Sequence, residues 1–133
     1  VAKDLKSKLW KMACAAQKAS YSPYSRYPVG AALLGESGKI YTGTNVENAS
    51  YGATVCAERS AVLKAVSEGE TRFRSICVVV NKSAVAPCAL CLQVLSEFVE
   101  ADFEVWIATP KSVVRSFRFA ELLPQRFGSK DLS

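Results

Sequence analysis

The sequence predicts an α/β fold: one domain over residues 1–133, a three-layer α/β/α sandwich around a single mixed sheet of five strands.

 Three observations carry that expectation. Helix-like and strand-like segments succeed one another along the chain, with no linker, repeat or low-complexity stretch between them. Residues 75–80, Ser-Ile-Cys-Val-Val-Val, form a nearly unbroken apolar run, as a central strand buried on both faces requires. Only Pro110-Lys111 separates the last two strand-like segments. That gap turns a hairpin but cannot hold a parallel crossover, so these strands are expected to be antiparallel.

Each element has its own signal. Residues 2–19 place Leu5, Leu9, Met12, Ala13 and Ala16 at helical spacing, with Lys3, Lys11 and Lys18 opposite and Cys14 off the stripe. Residues 20–28 hold two prolines and three tyrosines, a loop with more aromatic surface than a loop needs. Residues 29–34 and 39–45 flank the turn residues Gly35-Glu36-Ser37-Gly38 and form an antiparallel hairpin. Residues 45–54 are a polar loop. Residues 56–67 form a helix with Ala57, Ala61, Leu63, Ala65 and Val66 as its apolar positions and Gly69 as its stop. Beyond 75–80, a loop leads to Pro87, which suits the start of a helix over 88–100. Strands at 104–109 and 112–117 and a short helix at 119–122, ended by Pro124, complete the order.

Composition narrows the function classes. Of 133 residues, 50% are hydrophobic and 22% charged, a globular balance. No apolar run approaches the ~20 residues that span a bilayer, and no segment reads as a signal peptide, so no membrane partner is expected. The net charge of +5 is scattered, without a basic tail, and no nucleic-acid partner is expected either. Five cysteines, an odd number, suggest reduced thiols and a cytoplasmic protein. The chain has no histidine. That excludes a Ser-His-Asp triad, a Cys-His pair and a His-Glu-x-x-His metal site.

The chemistry that remains is carried by Cys56-Ala57-Glu58 and by Pro87-Cys88-Ala89-Leu90-Cys91. Cys56 starts one expected helix, and Cys88 and Cys91 start the next. A separation of three puts Cys88 and Cys91 on one helix face, and helix starts favour thiolate over thiol. Three thiolates are enough for a catalytic zinc with its fourth position open to water, which the metal acidifies to a pKa of about 7. Glu58, two residues from Cys56, would supply the general acid and base. The spacing alone also admits a redox pair at Cys88 and Cys91, or a structural zinc site completed by Cys14 or Cys77. The redox pair leaves Cys56 and Glu58 without a role. Cys77 lies within an apolar run and Cys14 has no ligand neighbour.

These motifs, together with Pro23-Tyr24-Ser25, 28–33 (Pro-Val-Gly-Ala-Ala-Leu), Gly43-x-Asn45-Val46-Glu47-Asn48-Ala49, Cys56-Ala57-Glu58-Arg59 and Glu121-Leu122-Leu123-Pro124, resemble the small homotetrameric zinc-dependent cytidine deaminases. The resemblance covers nearly the whole chain in the same order. It implies hydrolytic deamination of cytidine and deoxycytidine to uridine and deoxyuridine plus ammonia, in pyrimidine salvage. It implies one zinc per chain on Cys56, Cys88 and Cys91, with Glu58 moving a proton from the activated water to N3 of the cytosine ring. Asn45 and Glu47 would hold the sugar 3′-hydroxyl, the Ala57 backbone the pyrimidine carbonyl, and Tyr27 would pack on the base. Tyr51 and Phe127 match aromatics that close a neighbouring subunit's site, so the pocket is expected to be shared within a homotetramer.

Two departures stand out. Tyr27 occupies a position where the family usually has phenylalanine. The second cysteine motif reads Pro87-Cys88-Ala89-Leu90-Cys91-Leu92-Gln93 in place of Pro-Cys-Gly-Ala-Cys-Arg-Gln. Leu92 removes an arginine beside a zinc-thiolate centre of net −1 charge, so Arg59 is expected to compensate it. Ala89 and Leu90 are expected at the pocket floor. The alternatives are the same chemistry on a nucleoside analogue or on cytosine in nucleic acid, and a non-catalytic zinc or thiol protein. The expected final hairpin speaks against nucleic acid, because those relatives insert a helix between the last two strands.

Overall fold

The computed structural model describes residues 1–82 and 86–132. Its elements run α1 (Lys3–Gln17), β1 (Gly30–Gly35), β2 (Ile40–Thr44), α2 (Ala57–Ser67), β3 (Phe73–Val79), α3 (Ala89–Ser96), β4 (Glu104–Ala108), β5 (Val113–Arg118) and α4 (Phe119–Leu122), with 3-10 turns at Tyr51–Ala53 and Ser129–Leu132. The strands form one five-stranded sheet in the order β2-β1-β3-β4-β5. Only the β3–β4 pair is parallel, and α3 makes that crossover. β4 and β5 are antiparallel, and the two-residue turn between them is closed by the Thr109 amide donating to the Ser112 carbonyl at 2.8 Å. The loop expected before Pro87 lies partly outside the described residues.

Alternation along the strands splits the core into two layers. Ala32, Leu34, Cys77, Val79, Trp106 and Ala108 face one side, where Leu9 and Ala13 of α1 cover them. Ala31, Leu33, Ile76, Val78, Val105 and Ile107 face the other, against Ala57, Ala61, Val62 and Ala65 of α2 and Leu92 and Leu95 of α3. Successive side chains of a strand point to opposite faces, so a strand covered on both sides must be apolar throughout. β3, central in the sheet, is that strand.

Several boundaries and faces differ from the sequence expectation. Leu63 is 54% exposed, and Val62 takes its place in the core. Ala57, Ala61 and Ala65 at i, i+4 and i+8 already define the buried stripe, and Leu63 lies off it. Cys14 is not off the packed face of α1 but rests partly buried against the cluster that contains Cys77. β3 begins earlier than expected, with Phe73 paired to Gly35 past an irregularity in the register.

α3 ends at Ser96, four residues short of the expected Glu100. The carbonyls at and past that end are satisfied from far along the chain: the Arg126 guanidinium donates to those of Ser96 (3.3 Å) and Val99 (2.8 Å). Carbonyls left open at a helix end need such partners. Phe98 leaves the helix and meets Phe73 edge-on at 5.9 Å. Gly69, with φ +95°, closes α2 as expected, since only glycine takes that conformation without strain.

The β1–β2 turn is fastened by Glu70, just beyond α2. Its carboxylate accepts from the Ser37 amide (2.8 Å), the Ser37 hydroxyl (2.6 Å) and the Tyr41 hydroxyl (2.8 Å). The Ser37 bonds, hydroxyl first, hold its pKa below the ordinary carboxylate value. A depressed folded-state pKa stabilises the fold above the unfolded-state value of about 4.3, and that stabilisation fades as pH falls through the folded-state pKa. We expect Glu70→Gln to lower the melting temperature at pH 7 and the difference from the unsubstituted protein to shrink steadily below about pH 4. Thermal melts across pH 3–7 check this, and a difference independent of pH contradicts it.

Candidate metal centre and cleft

Two helix starts meet at one place. Cys56 is the residue before α2, Cys88 the residue before α3, and Cys91 the third residue of α3. Their sulfurs all lie within 4.8 Å of one another, with Cys88 and Cys91 at 3.5 Å. Three sulfurs each about 2.3 Å from a tetrahedral zinc would be roughly 3.8 Å apart, so the cluster fits such an ion with little adjustment. An all-thiolate donor set suits zinc among the common divalent ions. Among the described residues no other group of three potential ligands comes together. Cys14 and Cys77 lie on the α1 side of the sheet, outside the cluster.

The thiols are electrostatically unequal. A hydrogen bond from Cys91, then the Arg59 guanidinium, hold the Cys56 thiol well below its usual pKa, while the same bond and burial push Cys91 up. Arg59 Nη2 sits 3.7 Å from Cys56 Sγ and donates to the Thr54 carbonyl at 3.2 Å. Its Nε is buried with no hydrogen-bond partner among the described residues. The guanidinium thus places a positive charge beside the cluster. Leu92 is 7% exposed and belongs to the α2–α3 core, so it brings no charge to the cluster.

The cluster opens into a cleft of about 360 Å³, lined by Tyr27, Asn45, Glu47, Cys56, Ala57, Glu58 and Cys88 from the sequence-predicted set. Ser25, Val29, Thr54, Val78, Val80, Ala86 and Pro87 complete the wall. Glu58 is 6% exposed, and burial, helped by the Cys56 charge, pushes its pKa up to about 7. A buried carboxyl in that range can both give and take a proton near neutrality.

Asn45 and Glu47 are held rigidly. Asn45 Oδ1 accepts from the Val29 amide (3.0 Å) and the Ser20 hydroxyl, and its Nδ2 donates to the Tyr27 carbonyl (2.8 Å). Glu47 Oε1 accepts from the amides of Tyr24 (2.9 Å) and Ser25 (3.1 Å), and Oε2 from the Ser25 hydroxyl. The Ser25 hydroxyl first, then desolvation and the two amides, set the Glu47 pKa, with a net shift below the ordinary carboxylate value. The Tyr27 backbone is pinned from both sides, its amide donating to Ser25 Oγ at 3.0 Å. Tyr27 itself is 39% exposed at the cleft.

One expectation needs correction. Ala89 and Leu90 are exposed and do not line the cleft. They fall between Cys88 and Cys91, which occupy one helix face, so the intervening residues point elsewhere. Tyr51 (76% exposed) stacks edge-on with Tyr24, and Phe127 (57% exposed) offers its carbonyl to Gln93; neither lines the cleft of its own chain. Ser25 and Thr54 carry more of the site than sequence reasoning assigned them. Ser25 had a signal in Pro23-Tyr24-Ser25, whereas Thr54 acts through its carbonyl and had none.

Residues 3–106 match the family described as the cytidine and deoxycytidylate deaminase zinc-binding region. The chain belongs to the cytidine deaminase family. It is 44% identical to a cytidine deaminase of Sporosarcina psychrophila over 119 residues, 89% of this chain and 88% of that one. A cytidine deaminase of Mycobacterium tuberculosis is 45% identical over 114 residues, 85% and 82% of the two chains. The crystal structure of cytidine deaminase from Burkholderia pseudomallei superposes with a TM-score of 0.86 at 40% identity, covering 91% of this chain and 98% of that one. Membership agrees with the sheet order and with the thiol cluster.

The geometry of the cluster depends on a close approach of strand to helix. A methyl group on Gly43 of β2 would lie 2.5 Å from both the Ala57 carbonyl oxygen and the Ala61 amide nitrogen, in the first turns of α2. These are backbone atoms and cannot swing aside. Gly43→Ala is expected to displace the start of α2 from α3, lowering both bound zinc per chain and stability by about 1–3 kcal/mol. Gly52→Ala, with nothing within 4 Å, serves as the control. Metal analysis with denaturant unfolding reads the result, and equal zinc content in the two variants contradicts it.

Proposed function

We propose that this chain is a zinc-dependent deaminase of cytidine and deoxycytidine, producing uridine or deoxyuridine and ammonia in cytoplasmic pyrimidine salvage. The observation that carries the reading is the position of Glu58: a buried carboxyl, not itself in the thiol cluster, lining the same cleft two residues from Cys56. The activity named for the relatives supports it. Cys56, Cys88 and Cys91 would hold the zinc, which supplies a Lewis acid that makes a water molecule nucleophilic near neutral pH. Glu58 would take the proton released there and give it to N3 of the cytosine ring as the oxygen bonds to C4; moving the proton of the new C4 hydroxyl to the amino group would then break the C4–N bond, release ammonia and leave the C4 carbonyl. Arg59 balances the negative charge of the thiolates.

The remaining residues bind and orient. Asn45 has spent its oxygen and one amide proton on the protein, and one N–H remains. Glu47 retains acceptor capacity on Oε2. One donor beside one acceptor matches a sugar hydroxyl, which both accepts and donates. Tyr27 packs on the base, and the Ala57 backbone reads the pyrimidine carbonyl. The β4–β5 hairpin supports a free nucleoside as substrate. Among the described residues no helix is long and apolar enough to cross a membrane. Tyr51 and Phe127, exposed and away from their own cleft, would close the cleft of a neighbouring copy in a homotetramer.

Cytidine turnover, followed by the loss of its absorbance with zinc measured in parallel, tests the reading directly. Glu58→Ala is expected to keep zinc and fold while turnover falls at least ~100-fold, the range of a lost general acid and base. Zinc-loaded unsubstituted protein that leaves cytidine unchanged overturns the reading.

Arg59→Gln is expected to weaken zinc retention or turnover, because Leu92 leaves no second arginine beside the cluster. Chelator competition measures the retention. Zinc content and turnover equal to those of the unsubstituted protein contradict it.

A further inference from the structure

The last residue of α1 is a glutamine that the sequence pattern assigns no role. Gln17 is 8% exposed, on the helix turn after Ala13. A buried amide is costly unless its polar atoms are paired. Its Nε2 donates in two directions, to the Pro28 carbonyl at 3.1 Å and to Asn81 Oδ1 at 2.9 Å. Those partners are 53 residues apart in sequence (81 minus 28) and belong to two different loops.

Both loops wall the cleft. Pro28 stands between Tyr27 and Val29, and both of these line it. Asn81 follows Val80, which also lines it, and opens the connection to Pro87 and Cys88. Gln17 is itself fixed, because β1 starts against it. A methyl on Gly30 would strike the Ala13 carbonyl and the Gln17 amide nitrogen, so no gap exists there into which the end of α1 could shift. The Gln17 side-chain amide therefore spans, with one NH2 group, the aromatic side of the cleft and the side that leads to Cys88 and Cys91.

We infer that Gln17 is a positioning residue that sets the spacing between the Tyr27–Val29 wall and the Val80 wall, and with it the fit of the pyrimidine nucleoside. The inference rests on the proposed deaminase function. Gln17 touches neither the thiols nor the cleft. Losing its two hydrogen bonds therefore alters substrate binding through Tyr27 and leaves the proton transfer by Glu58 in place. Asn81 shares the task, so substitutions at the two positions act on one link and do not add.

The test uses zinc-loaded full-length protein and steady-state kinetics with cytidine. Gln17→Leu keeps the volume and removes both donors. The expected result is a rise in KM of about tenfold, with kcat and zinc content within twofold of the unsubstituted enzyme; one lost factor of ten corresponds to about 1.4 kcal/mol of binding. Asn81→Leu should raise KM in the same sense, and the double variant by no more than the larger single effect. A purely architectural role would lower the melting temperature and the active fraction and leave KM unchanged. If the unsubstituted protein is active and Gln17→Leu shows an unchanged KM, or if the two substitutions multiply, the inference is overturned and the deaminase reading stands. If the zinc-loaded unsubstituted protein is inert, both are overturned. Should Gln17→Leu fail to fold, Asn81→Leu alone decides by the same KM criterion.

Discussion

Three sulfurs within 4.8 Å of one another concentrate potential negative charge in a small volume, and most of the site is arranged around that fact. Thiolates this close repel unless cations and dipoles offset them. The offsets are visible in the fold. Cys56 and Cys88 stand at the positive ends of α2 and α3, and Arg59 lies against Cys56, held there by the Thr54 carbonyl. The bond from Cys91 and the Arg59 guanidinium lower the Cys56 pKa, while the same bond and burial raise that of Cys91. Glu58 feels the same field. Burial first, then the charge on Cys56, raises its carboxyl pKa to about 7, so the thiol cluster and the carboxyl beside it are electrostatically linked.

That arrangement requires two helices to begin at the same point, and the sheet provides for it through small residues. Gly43 lets α2 lie against β2 at backbone distance, and Ala57, Ala61 and Ala65 carry that contact along the helix. The parallel β3–β4 pair then needs a crossover, and α3 makes it with its start beside that of α2. A larger residue at Gly43 separates strand from helix, whereas a larger residue on the exposed Leu63 face separates nothing. The precision of the site is a consequence of packing that involves no chemically active side chain.

This division explains what the sequence made legible. Short-range signals were sufficient wherever a feature depends on residues close together: the apolar run of β3, the Pro110-Lys111 turn, the Gly69 stop and the Cys88–Cys91 spacing. The resemblance of the motifs brought Asn45, Glu47 and Tyr27 to the cleft where the fold also places them. Features that depend on partners distant in the chain were not legible. Arg126 satisfies the carbonyls of Ser96 and Val99 at and past the end of α3, and nothing near Ser96 announces a stop. Gln17 reads as the polar end of an amphipathic helix, yet its partners at Pro28 and Asn81 make it a buried link. Leu63 misleads for the opposite reason: it is apolar in a helix whose alanines already satisfy the core.

The cleft is also polar in an economical way. Asn45 and Glu47 are the groups expected to meet a sugar, yet most of their hydrogen-bonding capacity is spent on Ser20, Tyr24, Ser25, Tyr27 and Val29. Side chains fixed by the protein lose little rotamer freedom when a ligand arrives, so the ordering cost is met during folding rather than during binding. Ser25 and Asn45 also pin the backbone on both sides of Tyr27, which ties the aromatic wall to the Asn45–Glu47 pair. A change at Ser25 or Asn45 would therefore be felt at the base as well as at the sugar. Under the proposed function, recognition of the two halves of a nucleoside would be coupled through one loop, residues 20–29, whose anchor at the far end is the α1 terminus.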